Sequence, residues 1–222
     1  MTSAPPRLVL VEGLGGAGKT TTAGWLAAEW ACRGMSTRCI RERDRVPPRF
    51  RFPAEGPGYA AEMLDQWRRF AALVEGEDVA VVTEGHGWQP MAEFLYLAGG
   101  DAGQALAFCA ELAEIVAPLR PALVYLEPGD VAAHLARLER LRPGWLVAME
   151  ARDTAAHGLA RWGGSLLRFW RDWSRVQGEA FSRWPHAKLR VADPQEDWAA
   201  ARGAILDFVG VDSRAAEGIS PP

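Results

Sequence analysis

The residues Gly13-Leu14-Gly15-Gly16-Ala17-Gly18-Lys19-Thr20 follow the pattern G-x-x-x-x-G-K-[ST], which is suited to gripping a polyphosphate when a strand precedes it and a helix follows. Its glycines let the loop wind with backbone N–H groups turned inward, and the helix beginning at its end adds the positive end of its dipole. On this reading Gly13, Gly15, Gly16, Ala17 and Gly18 form a cradle of amides. Lys19, expected to face solvent in the unliganded protein, reaches the β and γ phosphates, the Thr20 hydroxyl joins the shell of a Mg²⁺ ion, and Thr21 is a candidate for the α-phosphate. Lys19 and Lys188 are the chain's two lysines, and every other cationic residue of the Lys/Arg class is arginine. A compact ammonium therefore stands where a point charge is useful. The expected cofactors are ATP and Mg²⁺, and the expected chemistry is phosphoryl transfer, which depends on positioning and charge neutralisation more than on covalent catalysis.

Such chemistry also needs carboxylates near the metal and the acceptor. Glu84 closes an apolar run at Val79 to Val82 and is read as orienting Mg²⁺ or taking the acceptor proton, since ligands of open α/β sheets bind at the carboxyl ends of strands. Glu12, the last residue before the loop, either touches the acceptor or the metal or is a structural acid fixing the loop. His86, between two glycines, is read either as an acceptor contact or base or as a turn histidine. Trp88 beside it is a candidate aromatic wall. His134, His157 and His186 do not cluster by spacing and suggest no metal site.

The elements that must position these groups follow from periodicity. Strands are predicted at Arg7 to Val11, Thr37 to Ile40, Val79 to Val82, Ala122 to Leu126 and Lys188 to Val191. Helices are predicted at 18–32, 60–75, 91–97, 102–117, 131–141, 166–184 and 198–209, with the stretch from Arg142 to Gly164 left open. Strands alternating with helices imply an α/β fold, a five-stranded parallel sheet with helices on both faces. One domain over 1–211 is expected, with a flexible tail at 212–222.

This order of parts resembles the thymidylate kinase family of P-loop nucleoside and nucleotide kinases. The likeness rests on Val11-Glu12-Gly13 leading into Gly18-Lys19-Thr20-Thr21, on Thr37 to Glu42 after a helix ending at Gly34, on a strand ending at Glu84, on the strand introduced by Pro121, and on the arginines 137, 140 and 142. It implies a P-loop NTPase fold, a small-molecule acceptor and a lid at about 137–161 in which Arg137, Arg140 and Arg142 close over the triphosphate. The bland reading of those arginines is a solvated helix face. Glu42 occupies the place of the base in related nucleoside kinases, and Arg41 and Arg43 flank it near the acceptor. Equally, the run Arg41-Glu42-Arg43-Asp44-Arg45 could be a self-paired surface loop. Homodimerisation is implied by the resemblance alone. Two departures bear on the acceptor: Gly85-His86-Gly87 follows Glu84 where the family has an arginine, and Arg43 stands where it has a proline. They favour a specialised acceptor, a nucleoside, nucleotide or other hydroxylated compound such as a natural product or antibiotic, with thymidylate or another nucleoside monophosphate as the nearest alternative.

Composition narrows the remaining classes. A net charge of -3 gives no general basic surface for nucleic acid. The apolar runs read as too short and interrupted to span a bilayer, and residues 1–7 lack a signal-peptide core, so a cytoplasmic location is expected. The three cysteines lack metal or redox spacing and read as reduced thiols, and most of the ten tryptophans read as packing groups. The chain contains no asparagine, which removes the Asn-Lys-x-Asp motif of a regulatory GTPase. A nucleotide-binding ATPase module without a small acceptor is the remaining alternative class.

Overall fold

The computed structural model describes residues 5–42 and 58–210. Arg43, expected near the acceptor, and the expected tail 212–222 lie outside the described residues. Five strands, β1 Leu8–Gly13, β2 Thr37–Ile40, β3 Ala80–Glu84, β4 Pro121–Glu127 and β5 Ala187–Ala192, form one sheet in the order β2-β3-β1-β4-β5. Every pairing is parallel. The helices are α1 Lys19–Cys32, α2 Tyr59–Glu75, α3 Glu93–Leu97, α4 Ala102–Val116, α5 Val131–Leu141, α6 Trp145–Ala156, α7 Leu166–Arg183 and α8 Trp198–Phe208. The stretch left open by periodicity holds α6, which starts after Gly144, a residue with φ of 81°.

Side chains of a strand alternate between faces, and here the alternation divides the core in two. Leu8 and Leu10 of β1, Val81 of β3 and Leu123 and Tyr125 of β4 join a cluster with α2, α4 and α7. Val9 and Val11, Ala80 and Val82, and Val124 and Leu126 join a second cluster with α1 and α8. The same parity carries the acids at the strand ends. Glu84 continues the Ala80, Val82 face toward α1, whereas Glu12 continues the Leu8, Leu10 face toward α4.

Four strands run further toward their carboxyl ends than periodicity indicates, β4 and β5 by one residue and β1 and β3 by two. β1 continues to Gly13, which pairs with Leu126, and β3 continues to Glu84, which pairs with Val11. The apolar runs end earlier because Glu12, Gly13, Thr83 and Glu84 are not apolar side chains, yet the strand pairing persists. The segment predicted as a helix from Met91 is preceded by a turn at Trp88–Ala92 in which Gln89 is extended, with φ of -119° and ψ of 127°. Gln89 precedes Pro90, and the proline ring disfavours the helical region for the residue before it.

The stretch Ala102–Leu119, α4 with the turn after it, is long and apolar enough to cross a membrane by length and composition, which the interrupted runs of the sequence did not suggest. In the fold it is a core helix. Ala105, Phe108, Leu112 and Val116 are buried at its i, i+3, i+4 spacing, and it packs on α2 and α7. Its start is fixed by a capping box in which Asp101 accepts from Gln104 N at 2.8 Å and Gln104 Oε1 accepts from Asp101 N at 3.0 Å.

The chain enters the phosphate loop through Gly13, whose φ is 145° and whose missing Cβ would stand 2.3 Å from the Leu126 carbonyl oxygen. A side chain there is strained by conformation and by space alike. Gly13→Ala is expected to lower stability by about 2 kcal/mol, roughly 4–8 °C in Tm for a chain of this size. The control Gly34→Ala, where φ is 78° but nothing lies within 4 Å, loses about half as much. Thermal unfolding followed by circular dichroism checks both.

Candidate active site

The loop between β1 and α1 turns its carbonyls outward. Gly13 O and Leu14 O each accept from Lys19 Nζ at 3.0 Å. Gly15 O accepts from His134 Nε2 at 2.8 Å and Gly16 O from Arg137 Nη2 at 3.3 Å, both from α5. Ala17 O accepts from Gln195 Nε2 at 2.8 Å, ahead of α8. Five consecutive carbonyls are thus taken by side-chain donors, and Leu14 O also accepts from Ala17 N at 3.1 Å, so an anion would be met by the loop amides other than that of Ala17. The N-cap of α1 is Gly18, left-handed at φ 100° and without a side-chain cap, whereas Asp101, Asp130, Ser165 and Asp197 cap α4, α5, α7 and α8. The loop is also packed tightly from outside. A Cβ on Gly16 would meet Leu138 at 2.3 Å and one on Gly18 would meet Trp198 at 2.5 Å.

Lys19 is 6% exposed, which corrects the expectation of a solvent-facing lysine. Its ammonium is held by the two loop carbonyls and by Gln89 Oε1. The cause is the partner side of the cleft, where buried acids require a cation. Glu12, 1% exposed, accepts from Gly87 N at 2.9 Å and Gln89 N at 3.2 Å. Burial pushes its carboxyl up to about 7, against the pull of Lys19 and the amides of residues 87–89. Both oxygens accept from backbone amides, so Glu12 ties the loop after β3 to β1, as the structural-acid reading expects.

Glu84 and Thr20 are brought together as strand parity requires: Thr20 Oγ1 donates to Glu84 Oε1 at 3.0 Å, and the same oxygen accepts from Glu42 N at 3.2 Å. A hydroxyl and a carboxylate oxygen are hard donors of the kind Mg²⁺ takes, the rest of its shell coming from water and phosphate. Among the described residues no group of three His, Cys, Asp or Glu side chains could hold a metal alone, which fits an ion shared with a nucleotide. The donor set therefore fits the expected Mg²⁺. Glu42 lies at the cleft surface, its Oε2 about where a Cβ on Gly85 would meet it at 3.1 Å. Thr21 is exposed on the first turn of α1. Arg41 lies across α1, its Nη2 at 3.2 Å from a Cβ placed on Gly24.

Two other expectations are corrected. His86 is 3% exposed, with Nδ1 sharing a 3.0 Å hydrogen bond with Thr83 Oγ1, while its carbonyl accepts from Trp67 Nε1 at 2.9 Å. It is the turn histidine, directed into the core by the face that Thr83 occupies. Trp88 is 1% exposed and packs on Tyr125 and Trp184 at ring distances of 5.8 and 6.2 Å, a core group rather than a wall of the cleft. Of the three arginines, Arg137 reaches the loop, whereas Arg140 and Arg142 are exposed. Arg161, a weaker lid candidate, donates instead to the carbonyls of Tyr96 and Gly100.

Sequence reasoning passed over four groups that complete the site. Gln89 bridges from Lys19 toward Glu93, and Glu93 Oε1 accepts from Trp170 Nε1 at 3.2 Å. Burial pushes Glu93 up to about 7, opposed by Lys19, Gln89 and Trp170. Trp170 also lies on the loop, 3.0 Å from a Cβ placed on Gly15. His134 donates through Nε2 and receives Arg137 at Nδ1 at 3.0 Å, which defines a neutral ring, and burial lowers its pKa accordingly. The available signals were slight: Gln89 and Glu93 four apart across a proline, and His134 and Arg137 three apart on one helix face.

No protein-family model and no curated protein matches the sequence. Solved structures do match. The YorR protein of Bacillus subtilis, in complex with phosphorylated GDP, is 15% identical over 91% of this chain and 95% of its own, with a TM-score of 0.54. Thymidylate kinase from Ehrlichia chaffeensis is 13% identical over 91% and 97%, with a TM-score of 0.50. Deoxyadenosine kinase from M. mycoides with bound dATP is 12% identical over 90% and 97%, with a TM-score of 0.49. The first two likenesses show that the chain is built on the P-loop fold that thymidylate kinase carries.

Proposed function

We propose that the chain is an ATP- and Mg²⁺-dependent phosphotransferase acting on a small-molecule acceptor. The observation that carries this reading is the loop whose carbonyls at residues 13–17 are all engaged outward, beside a Thr20 hydroxyl and a Glu84 carboxylate 3.0 Å apart. In this reading the amides of the loop and the start of α1 receive the phosphates, and Lys19 leaves Gln89 for the β and γ oxygens. Thr20 and Glu84 would hold Mg²⁺, which when bound neutralises charge on the phosphate oxygens. Arg137, anchored at Gly16 O, adds a cation from α5, and Arg140 and Arg142 belong to the lid at about 137–161. Glu42, at the cleft surface beside Gly85, takes the acceptor's proton, since Glu84 is occupied on the metal side and Glu12 by backbone amides.

A nucleoside monophosphate acceptor is a second reading, favoured by the thymidylate kinase and the phosphorylated-GDP complex among the structures of the same fold. An ATPase module would consume ATP without any small acceptor. Measuring ADP release with nucleosides, nucleoside monophosphates and hydroxylated natural products separates the three. A rise with one acceptor class supports the proposal. Turnover stimulated only by a protein or nucleic acid overturns it.

Lys19→Ala is expected to lower kcat at least 10³-fold, the scale of losing a main electrostatic contact to the transition state. It should also lower Tm, because Glu12 and Glu93 lose their cation. Unchanged turnover would remove Lys19 from the mechanism. Glu84→Gln should lower kcat about 10²-fold or more with ATP affinity changed only a few-fold, and its Mg²⁺ requirement should shift upward. Calorimetric titration of ATP with and without Mg²⁺, beside steady-state kinetics, checks both.

A further inference from the structure

The polar chain behind Lys19 ends in an unanswered group. Lys19 meets Gln89 Oε1, the Gln89 carboxamide lies against Glu93, and Glu93 Oε1 is taken by Trp170 Nε1. Glu93 is 8% exposed, and its Oε2, out of contact with water, has no hydrogen-bond partner among the described residues. A buried carboxylate oxygen without a donor is costly, so in a folded protein it calls for a proton or a donor brought by something else. Two more acids share this neighbourhood. Glu12 lies on the other side of Gln89, whose amide it binds at 3.2 Å, and Asp153 of α6, 4% exposed, acts on Glu93 electrostatically. Lys19 is the cation that both Glu12 and Glu93 feel.

This arrangement has a consequence when a triphosphate enters the loop. An ammonium drawn to phosphate oxygens no longer neutralises the acids behind it, and Glu93 keeps an oxygen in need of a donor. Resting on the phosphotransferase reading above, we propose that Glu93 is an acceptor-recognition residue that takes a protonated amine, so that the acceptor is an amino alcohol of the amino-sugar or aminocyclitol class. The amine replaces Lys19 as the counter-charge of Glu93, and a hydroxyl of the same molecule receives the phosphoryl group. Attack of that hydroxyl oxygen on the γ-phosphorus forms the new P–O bond, the bond to the β,γ-bridging oxygen breaks, ADP leaves, and the hydroxyl proton passes to Glu42. Gln89 positions Glu93 and Lys19 relative to each other through its two ends.

The test has two arms on the full chain. In the first, ADP release is measured with an aminocyclitol such as 2-deoxystreptamine, with the same ring lacking its amines, and with thymidine and dTMP. The aminated compound should be preferred at least tenfold in kcat/KM, and Glu93→Gln should raise its KM at least tenfold while leaving ATP affinity within twofold. In the second, Tm is compared without ligand. Glu93→Gln keeps an acceptor for Trp170, and Glu12 remains to answer Lys19, so Tm should stay within a few degrees of the wild type. A fall of several degrees would make Glu93 a structural acid and overturn the proposal, as would dTMP or the deaminated ring being the better acceptor. ATP binding with acceptor-stimulated turnover in that case leaves the phosphotransferase reading standing, whereas absence of ATP binding in the wild type removes both.

Discussion

The ammonium of Lys19 holds this site together. It sits in a nearly closed position, bonded to Gly13 O, Leu14 O and Gln89 Oε1, and acts on two buried carboxyls, Glu12 and Glu93, that burial pushes up to about 7. Burying a charge is tolerable only with partners, and each member of this group is the others' partner. The loop winding, the turn at residues 87–89 and the foot of α7 at Trp170 are therefore coupled through one cation. A triphosphate bound as proposed would compete for that cation and so couple the loop to Glu12 and Glu93 without any large motion.

Strand parity does the sorting. Two acids leave adjacent strands at nearly the same level, with Val11 of β1 opposite Glu84 of β3. One residue of offset sends Glu84 to Thr20 on the α1 face and Glu12 to the amides of Gly87 and Gln89 on the α4 face. One becomes a metal-side group and the other a brace. A shift of a single residue in either strand alone would put both acids on the same face.

The outer wall of the loop between β1 and α1 is largely apolar. Leu138, Trp170 and Trp198 each stand where a Cβ on Gly16, Gly15 or Gly18 would be, and His134 stays neutral between Gly15 O and Arg137. This packing covers Gly15, Ala17 and Gly18 and leaves Gly16 exposed, so it lowers the dielectric around most of the loop.

What the sequence by itself determined was local: the phosphate loop between a strand and a helix, the five strands with the helices between them, and the acids at strand ends. These follow from glycine conformations, hydrophobic period and the motif spacing, all of which act within a few residues. It also suggested acceptor roles for His86 and Trp88 and a solvent-facing Lys19. Tertiary structure decided otherwise, because Thr83 and Trp67 enclose His86, Tyr125 and Trp184 enclose Trp88, and Gln89 reaches Lys19 across 70 residues. The partnership of Glu93 with Gln89 and Trp170 was equally out of reach, since whether a carboxylate is solvated or buried depends on which distant helix covers it, and no local pattern encodes that choice.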